Sequence, residues 1–171
     1  DYGLTVGVLP FEKIKMEVGI DLLEPSDYPV YFNAKIGTPE SKTLPAFNVG
    51  IFNAGTQGGV TDFNIVDVIA GKTLPYNAGR VHVGYYTGNA NLLKDSGGNT
   101  DNSGYMAGYD KYLYKDKVLL AADYASGKNA IGGGGFGLYY FFTSNISLLV
   151  GPVWFNDSGI NGDTKWTSQL D

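Results

Sequence analysis

The sequence predicts an all-β fold, an antiparallel up-and-down meander that closes into a transmembrane β-barrel of about 12 strands. Three observations predict it. Segments of roughly ten residues alternate apolar and polar side chains, the length and period of a tilted strand that crosses a bilayer. No stretch of about 18 apolar residues is present, which excludes a transmembrane helix. Compact connections alternate with longer, more polar ones, as they do in membrane barrels.

Eleven segments follow the alternating pattern, and their boundaries hold to within a few residues. The predicted strands cover 3–11, 12–22, 29–37, 45–54, 62–72, 80–88, 104–113, 117–125, 131–142, 146–155 and 164–171. The segment 12–22 gives the clearest pattern, because every second residue from Ile14 to Leu22 is apolar and those between are polar or glycine. Two-residue periodicity predicts one apolar and one polar face for the whole sheet.

The hairpin formed by 131–142 and 146–155 has the most unusual composition. Phe136, Leu138 and Tyr140 fall on one face, whereas the other face consists of glycine until Tyr139 and Phe141 near the strand end. Glycine and paired aromatics at this density oppose a helix and suit two strands joined by a polar turn. A glycine face leaves room for water or for a close-packed neighbour.

The connections predict a barrel with two different ends. The compact set is Pro10 to Glu12, Leu74 to Gly79, Tyr114 to Asp116, and Thr143 to Asn145. The longer set is 23–28, 55–61, 89–103, 126–130 and 156–164. The connection from Thr38 to Leu44 belongs to the compact end by position and is longer than this rule predicts.

An odd number of strands cannot close an antiparallel barrel in which every neighbour is antiparallel. Bacterial barrels have even strand counts, so we expect a twelfth strand, either unrecognised within 1–171 or absent from the ends of the chain. All 171 residues are expected to belong to this single barrel domain.

Aromatic residues cluster at the predicted strand ends, where they would form girdles at the two membrane interfaces. They are Tyr28, Tyr31, Tyr76, Tyr86, Tyr105, Tyr112, Tyr114, Tyr139, Tyr140, Trp154, Phe155 and Trp166. With the strand pairs and the unequal connections, they make the chain resemble a Gram-negative outer-membrane β-barrel of the porin-like kind. The resemblance is architectural, and it implies an outer-membrane location and passive solute passage.

The candidate functional residues are the ionisable side chains on the predicted polar face, which would line the interior of the barrel. They are Lys15, Glu17, Asp21, Lys35, Asp67, Arg80, His82 and Asp123. In a narrow barrel, such residues either border a thin polar channel or pair across it and close it. Their mixed signs favour neither strong anion nor strong cation selectivity.

Other kinds of site are poorly supported. The chain has no cysteine and one histidine, His82, so we expect no zinc site, no nucleophilic triad and no enzymatic activity. The loop from Lys94 to Ser103 offers Asp95, Asn99 and Asp101 as oxygen ligands for calcium, but a solvated turn is the better interpretation. We therefore expect no metal and no cofactor. A net charge of −5 without a basic cluster argues against a nucleic-acid partner.

Three hypotheses follow from these observations. The first is an outer-membrane β-barrel that forms a narrow pore for small polar solutes, with the lipid bilayer and those solutes as its partners. The second is a structural or surface-assembly barrel, without transport, that binds copies of itself or partner proteins through its loops or outer wall. The third is a soluble, ligand-holding barrel like the lipocalins, with the apolar face inside. Periodicity alone does not separate the third from the others.

Overall fold

The computed structural model describes residues 2–9, 11–23 and 26–170. These residues form eleven β-strands, in agreement with the sequence prediction. The strands are β1 (Tyr2–Gly7), β2 (Lys15–Leu22), β3 (Val30–Thr38), β4 (Ala46–Gly55), β5 (Asp62–Thr73), β6 (Arg80–Thr87), β7 (Ser103–Tyr114), β8 (Val118–Ala125), β9 (Gly133–Phe141), β10 (Ser147–Phe155) and β11 (Lys165–Leu170).

Helical structure in the described residues is limited to two short pieces in connections. A 3-10 turn covers Pro75–Asn77, and α1 covers Ser158–Asn161, where the Asp157 carboxylate accepts a hydrogen bond from the Gly159 amide. Neither piece has the length and the apolar composition that a helix needs to cross a bilayer.

All eleven described strands belong to one antiparallel sheet, in which each strand pairs with the next strand in the chain. The predicted up-and-down meander is therefore confirmed. The sheet is open, because β1 pairs only with β2 and β11 only with β10 among the described residues. Ten antiparallel steps separate β1 from β11, so these two edge strands run in the same direction. The predicted twelfth strand is not found in residues 2–9, 11–23 and 26–170.

The strand register gives the sheet two chemically different faces. One row of paired residues runs from Glu17 through Lys35, Gly50 and Asp67 to Tyr86, and it defines the polar face. The opposite face presents exposed apolar or aromatic side chains on every strand. From β1 to β11 these include Leu4, Val18, Phe32, Val49, Val68, Val83, Tyr105, Tyr124, Phe136, Val150 and Trp166. We call this the apolar face.

The sheet curls toward its polar face. A cavity of about 500 Å³ is bordered both by Asn48 on β4 and by Phe155 on β10. In a flat sheet, strands about 4.8 Å apart would place β4 and β10 about 29 Å from one another. A single cavity can border both strands only if the sheet bends around it, so the polar face is the concave one.

The two ends of the sheet differ less in loop length than the sequence predicts. The compact turn expected at Pro10 to Glu12 is wrong: the connection covers 8–14, with Pro10 outside the described residues, and closes with a hydrogen bond from the Val8 amide to Met16. The apolar residues Phe11 and Ile14 fit the strand pattern in the sequence, which is why the predicted strands extended into this connection, but both are exposed. The connection 115–117 is as short as expected, while 88–102 and 156–164 are the long ones. The difference in loop length between the two ends of the sheet is therefore due mainly to these three connections.

A small buried core lies at the end of the sheet that bears connections 88–102 and 126–132. It consists of Ile65, Tyr86, Leu93 and Ala125, with Phe52, Phe63, Met106 and Ile131 packed against it. Tyr86 and Tyr31 are buried on the polar face, so their predicted place in an outward aromatic girdle is wrong. The alternation of apolar and polar residues along the strand places Tyr86 on the polar face. Its position at the strand end, taken alone, led to the wrong assignment to the aromatic girdle.

Candidate functional site

The eight ionisable residues predicted to line the interior all lie on the polar face. Glu17, Lys35 and Asp67 share one register row, and His82 and Asp123 share another through Gly108. Lys15 and Asp21 lie two and four residues from Glu17 on β2, and Arg80 lies two residues from His82 on β6. An even spacing within a strand puts these three residues on the same face. The register shows that the eight residues share one face of the sheet, and their role in lining a pore stays a prediction.

The first part of the site lies on β2 to β5. The Lys35 ammonium is 2.9 Å from Glu17 Oε2, and both side chains border a cavity of about 280 Å³ with Asp67. Asp67 is only 8% exposed, and its Oδ1 has no hydrogen-bond donor within the described part of the chain. Gly50, which lies between Lys35 and Asp67 in the row, leaves space for the carboxylate: a Cβ there would come within 3.1 Å of Oδ1.

The second part lies on β6 to β10 and borders the larger cavity of about 500 Å³. His82 Nε2 donates a hydrogen bond to Asp110 Oδ1 over 2.8 Å. Asp123 borders the same cavity but has no side-chain hydrogen bond or ion pair to any residue that the structure describes. Met106 and Phe155 supply apolar wall, so this cavity combines a few polar groups with an apolar surface.

A third group lies at the turn end of β5 and β6. Arg80 donates a hydrogen bond of 3.0 Å to Glu40, Thr73 donates from both its amide and its hydroxyl, and the Lys72 ammonium is 3.1 Å from Glu40 Oε1. Glu40 was not among the predicted site residues, because it lies in the connection 39–45 and follows no strand period. The unexpected length of this connection was the available signal, because the extra residues bring Glu40 back to Arg80.

Hydrogen bonds from Thr73, with Lys72 close by, lower the pKa of Glu40 from its ordinary value of 4.5 to about 2. A carboxyl whose pKa is depressed in the folded state adds stability that is complete above its unfolded pKa and is lost as the pH falls through the folded value. Glu40 therefore stabilises this end of the sheet at neutral pH, and its contribution disappears between about 4.5 and about 2.

Glu40→Gln is expected to lower stability at neutral pH and to flatten the loss of stability between pH 4.5 and 2. Thr73→Val removes the hydrogen bond of 2.8 Å from the Thr73 hydroxyl to Glu40 and is expected to give an intermediate profile. Both variants can be measured by urea unfolding in detergent micelles at several pH values, followed by tryptophan fluorescence. A stability difference between wild type and Glu40→Gln that stays constant from pH 6 to pH 2 would contradict the assignment.

The remaining predicted residues are not brought into one cluster. Asp21 accepts a hydrogen bond of 2.7 Å from the Asn33 amide, and Lys15 makes no ion pair with the residues described. Asp110 was missed although it follows the polar alternation of β7, two residues after Gly108. The polar face therefore holds paired charges beside two carboxylates, Asp67 and Asp123, that have unused acceptors.

Connections 88–102 and 126–132 form a hydrogen-bonded cap over one end of the polar face. Asn129 is 1% exposed: its amide group donates to the Asp101 carbonyl and to Tyr86, and its oxygen accepts from the Ile131 and Gly132 amides. Leu93 is fully buried beneath this network. Apart from the length of 88–102, no pattern in the sequence indicated the cap.

The loop considered for calcium directs its carboxylates to different partners. Asp95 accepts from the backbone and side chain of Asn99, which lowers the pKa of Asp95. Asp101 accepts instead from the Lys128 amide. In the described ranges, no group of three histidine, cysteine, aspartate or glutamate residues is arranged to hold a metal ion.

The fold and the site define the class of the protein: an all-β, antiparallel meander whose curled sheet has an apolar outer face and a polar inner face. The polar face presents hydrogen-bonding groups and charged side chains. No family model, no curated protein and no solved structure matches the chain.

Proposed function

We propose that the chain forms the wall of an outer-membrane β-barrel and that small polar solutes pass through its interior. The observation that supports this proposal best is the apolar face. Exposed apolar or aromatic side chains follow one another across all eleven strands, from Leu4 on β1 to Trp166 on β11. Monomeric soluble proteins rarely expose a continuous apolar surface above a few hundred Å². Lipid acyl chains would cover this face without any partner protein.

Strand length supports the same proposal. A tilted strand needs about 9–11 residues to cross the hydrocarbon core. Among the central strands, β4, β5 and β7 have 10, 12 and 12 residues, and β6 between them has 8. Backbone groups at the edges of an open sheet would be costly in lipid, so the proposal requires that β1 and β11 are covered by a further strand or by another chain.

The test is the conductance of planar bilayers to which the refolded 171-residue chain has been added. We expect discrete current steps, because solvent and ions would enter the cavities along the polar face. Heat-modifiable gel mobility controls for folding. A chain that folds and stays monomeric in water without detergent would contradict the membrane location, and a folded, inserted chain without current would contradict the pore.

The cap supports a second candidate function. Tyr86, Leu93 and Asn129 are fully or almost fully buried at one end of the polar face, where they would obstruct passage. A barrel closed in this way would be a structural or surface-assembly protein that binds copies of itself or other proteins. Folding and insertion without current, followed by current in a variant with a loosened cap, would favour this second function.

A further inference from the structure

We propose that the cavity bordered by Glu17, Lys35 and Asp67 binds the primary ammonium group of a small polar solute. This inference rests on the proposed function, since it names the class of solute that the interior would select. The occupant is defined by what the cavity lacks: a second cationic hydrogen-bond donor, since its one ammonium group, that of Lys35, already pairs with Glu17.

The missing donor is identified by Asp67. Asp67 is 8% exposed as a residue, it borders the cavity, and its Oδ1 has no donor among the residues described. A buried carboxylate oxygen without a partner is costly, so native proteins normally satisfy such an atom with a donor. The nearest cation in the register row, Lys35, is already 2.9 Å from Glu17.

The missing charge follows from the side chains that border the cavity. Two carboxylates, Glu17 and Asp67, face one ammonium, Lys35, which leaves a formal charge of −1. A neutral hydroxyl could donate to Asp67 but would not offset this charge. An ammonium group would do both, and it has two further N–H groups to donate.

Acceptors for those N–H groups lie on neighbouring strands. Asn33 uses its amide nitrogen to donate to Asp21, which leaves its oxygen free to accept. Thr5 and Asn48 also border the cavity. The volume of about 280 Å³ is several times the roughly 30 Å³ that one water molecule occupies in the liquid, so a solute of a few heavy atoms fits.

The experiment measures binding of ethanolammonium to the refolded 171-residue chain in detergent micelles by isothermal titration at fixed ionic strength. Ethylene glycol, in which a hydroxyl replaces the ammonium, is the uncharged probe. We expect ethanolammonium to bind and ethylene glycol to bind at least tenfold more weakly. Equal affinity for the two probes, or no binding of ethanolammonium by the folded protein, would overturn the inference.

Two variants locate the site. Asp67→Asn is expected to weaken ethanolammonium binding at least tenfold, whereas Asp116→Asn, which removes the same charge in the exposed turn 115–117, should change it less than twofold. Equal losses in both would indicate a general charge effect and overturn the site. If Asp67→Asn does not fold, Lys35→Met gives the second test, because the Lys35 side chain is 58% exposed and its removal frees Glu17. We expect at least threefold tighter binding, and weaker binding would overturn the inference.

Binding in micelles does not depend on conductance, so the two proposals fail separately. Ethanolammonium binding by a chain that gives no current would retain the site and contradict the pore. Current without ethanolammonium binding would retain the pore and contradict the site.

Discussion

Val83→Arg is expected to destabilise the protein in lipid vesicles by about 2–4 kcal/mol, the cost of an arginine on the lipid face near the middle of a bilayer. Val83 lies centrally in β6 on the apolar face, and the residue is 60% exposed. In water, a substitution at so exposed a position would change stability by about 0.5 kcal/mol or less. The size of the effect therefore separates a lipid-facing residue from a solvent-facing one.

Thr87→Arg is the matched control, because Thr87 lies on the same strand and face but at the strand end. The cost of arginine falls to about 0–1 kcal/mol near the membrane interface. Both variants can be compared with wild type by reversible urea unfolding in vesicles. Equal effects at the two positions, or no effect at Val83 in folded, inserted protein, would contradict the proposed lipid-facing surface.

The sequence was sufficient for the features that depend on local periodicity. Alternation with a period of two residues located eleven strands and placed all eight predicted ionisable residues on one face, because a pleated strand imposes that period on every residue. It failed at the first turn, where the exposed apolar residues Phe11 and Ile14 extended the apparent strand into connection 8–14.

The partners of the site residues could not be predicted in the same way. Glu40 reaches Arg80 across forty positions of sequence, and Asn129 reaches Tyr86 across forty-three. Such contacts depend on how connections fold over the sheet, which no strand period records. Closure was equally inaccessible, because alternation describes each strand alone, whereas closure depends on what pairs with the edges of β1 and β11.

Asn129→Ala is expected to destabilise the protein by about 1–3 kcal/mol, because it removes the hydrogen bonds to two part-buried backbone groups at about 0.5–1.5 kcal/mol each. These groups are the Asp101 carbonyl and the Ile131 amide, which the Asn129 side chain satisfies. The hydrogen bond to Tyr86 is lost as well. The change acts on the cap and leaves every residue of the apolar face in place.

Urea unfolding measures the loss of stability, and trypsin cleavage at Lys94 in connection 88–102 measures loosening of the cap. Asn91→Ala is the control, since Asn91 is exposed in the same connection and is expected to change stability by about 0.5 kcal/mol or less. Equal stability and equal cleavage in the two variants would mean that Asn129 does not hold the cap. Conductance then separates the two functions: a pore conducts with the cap intact, whereas a closed structural barrel conducts only after Asn129→Ala has loosened it.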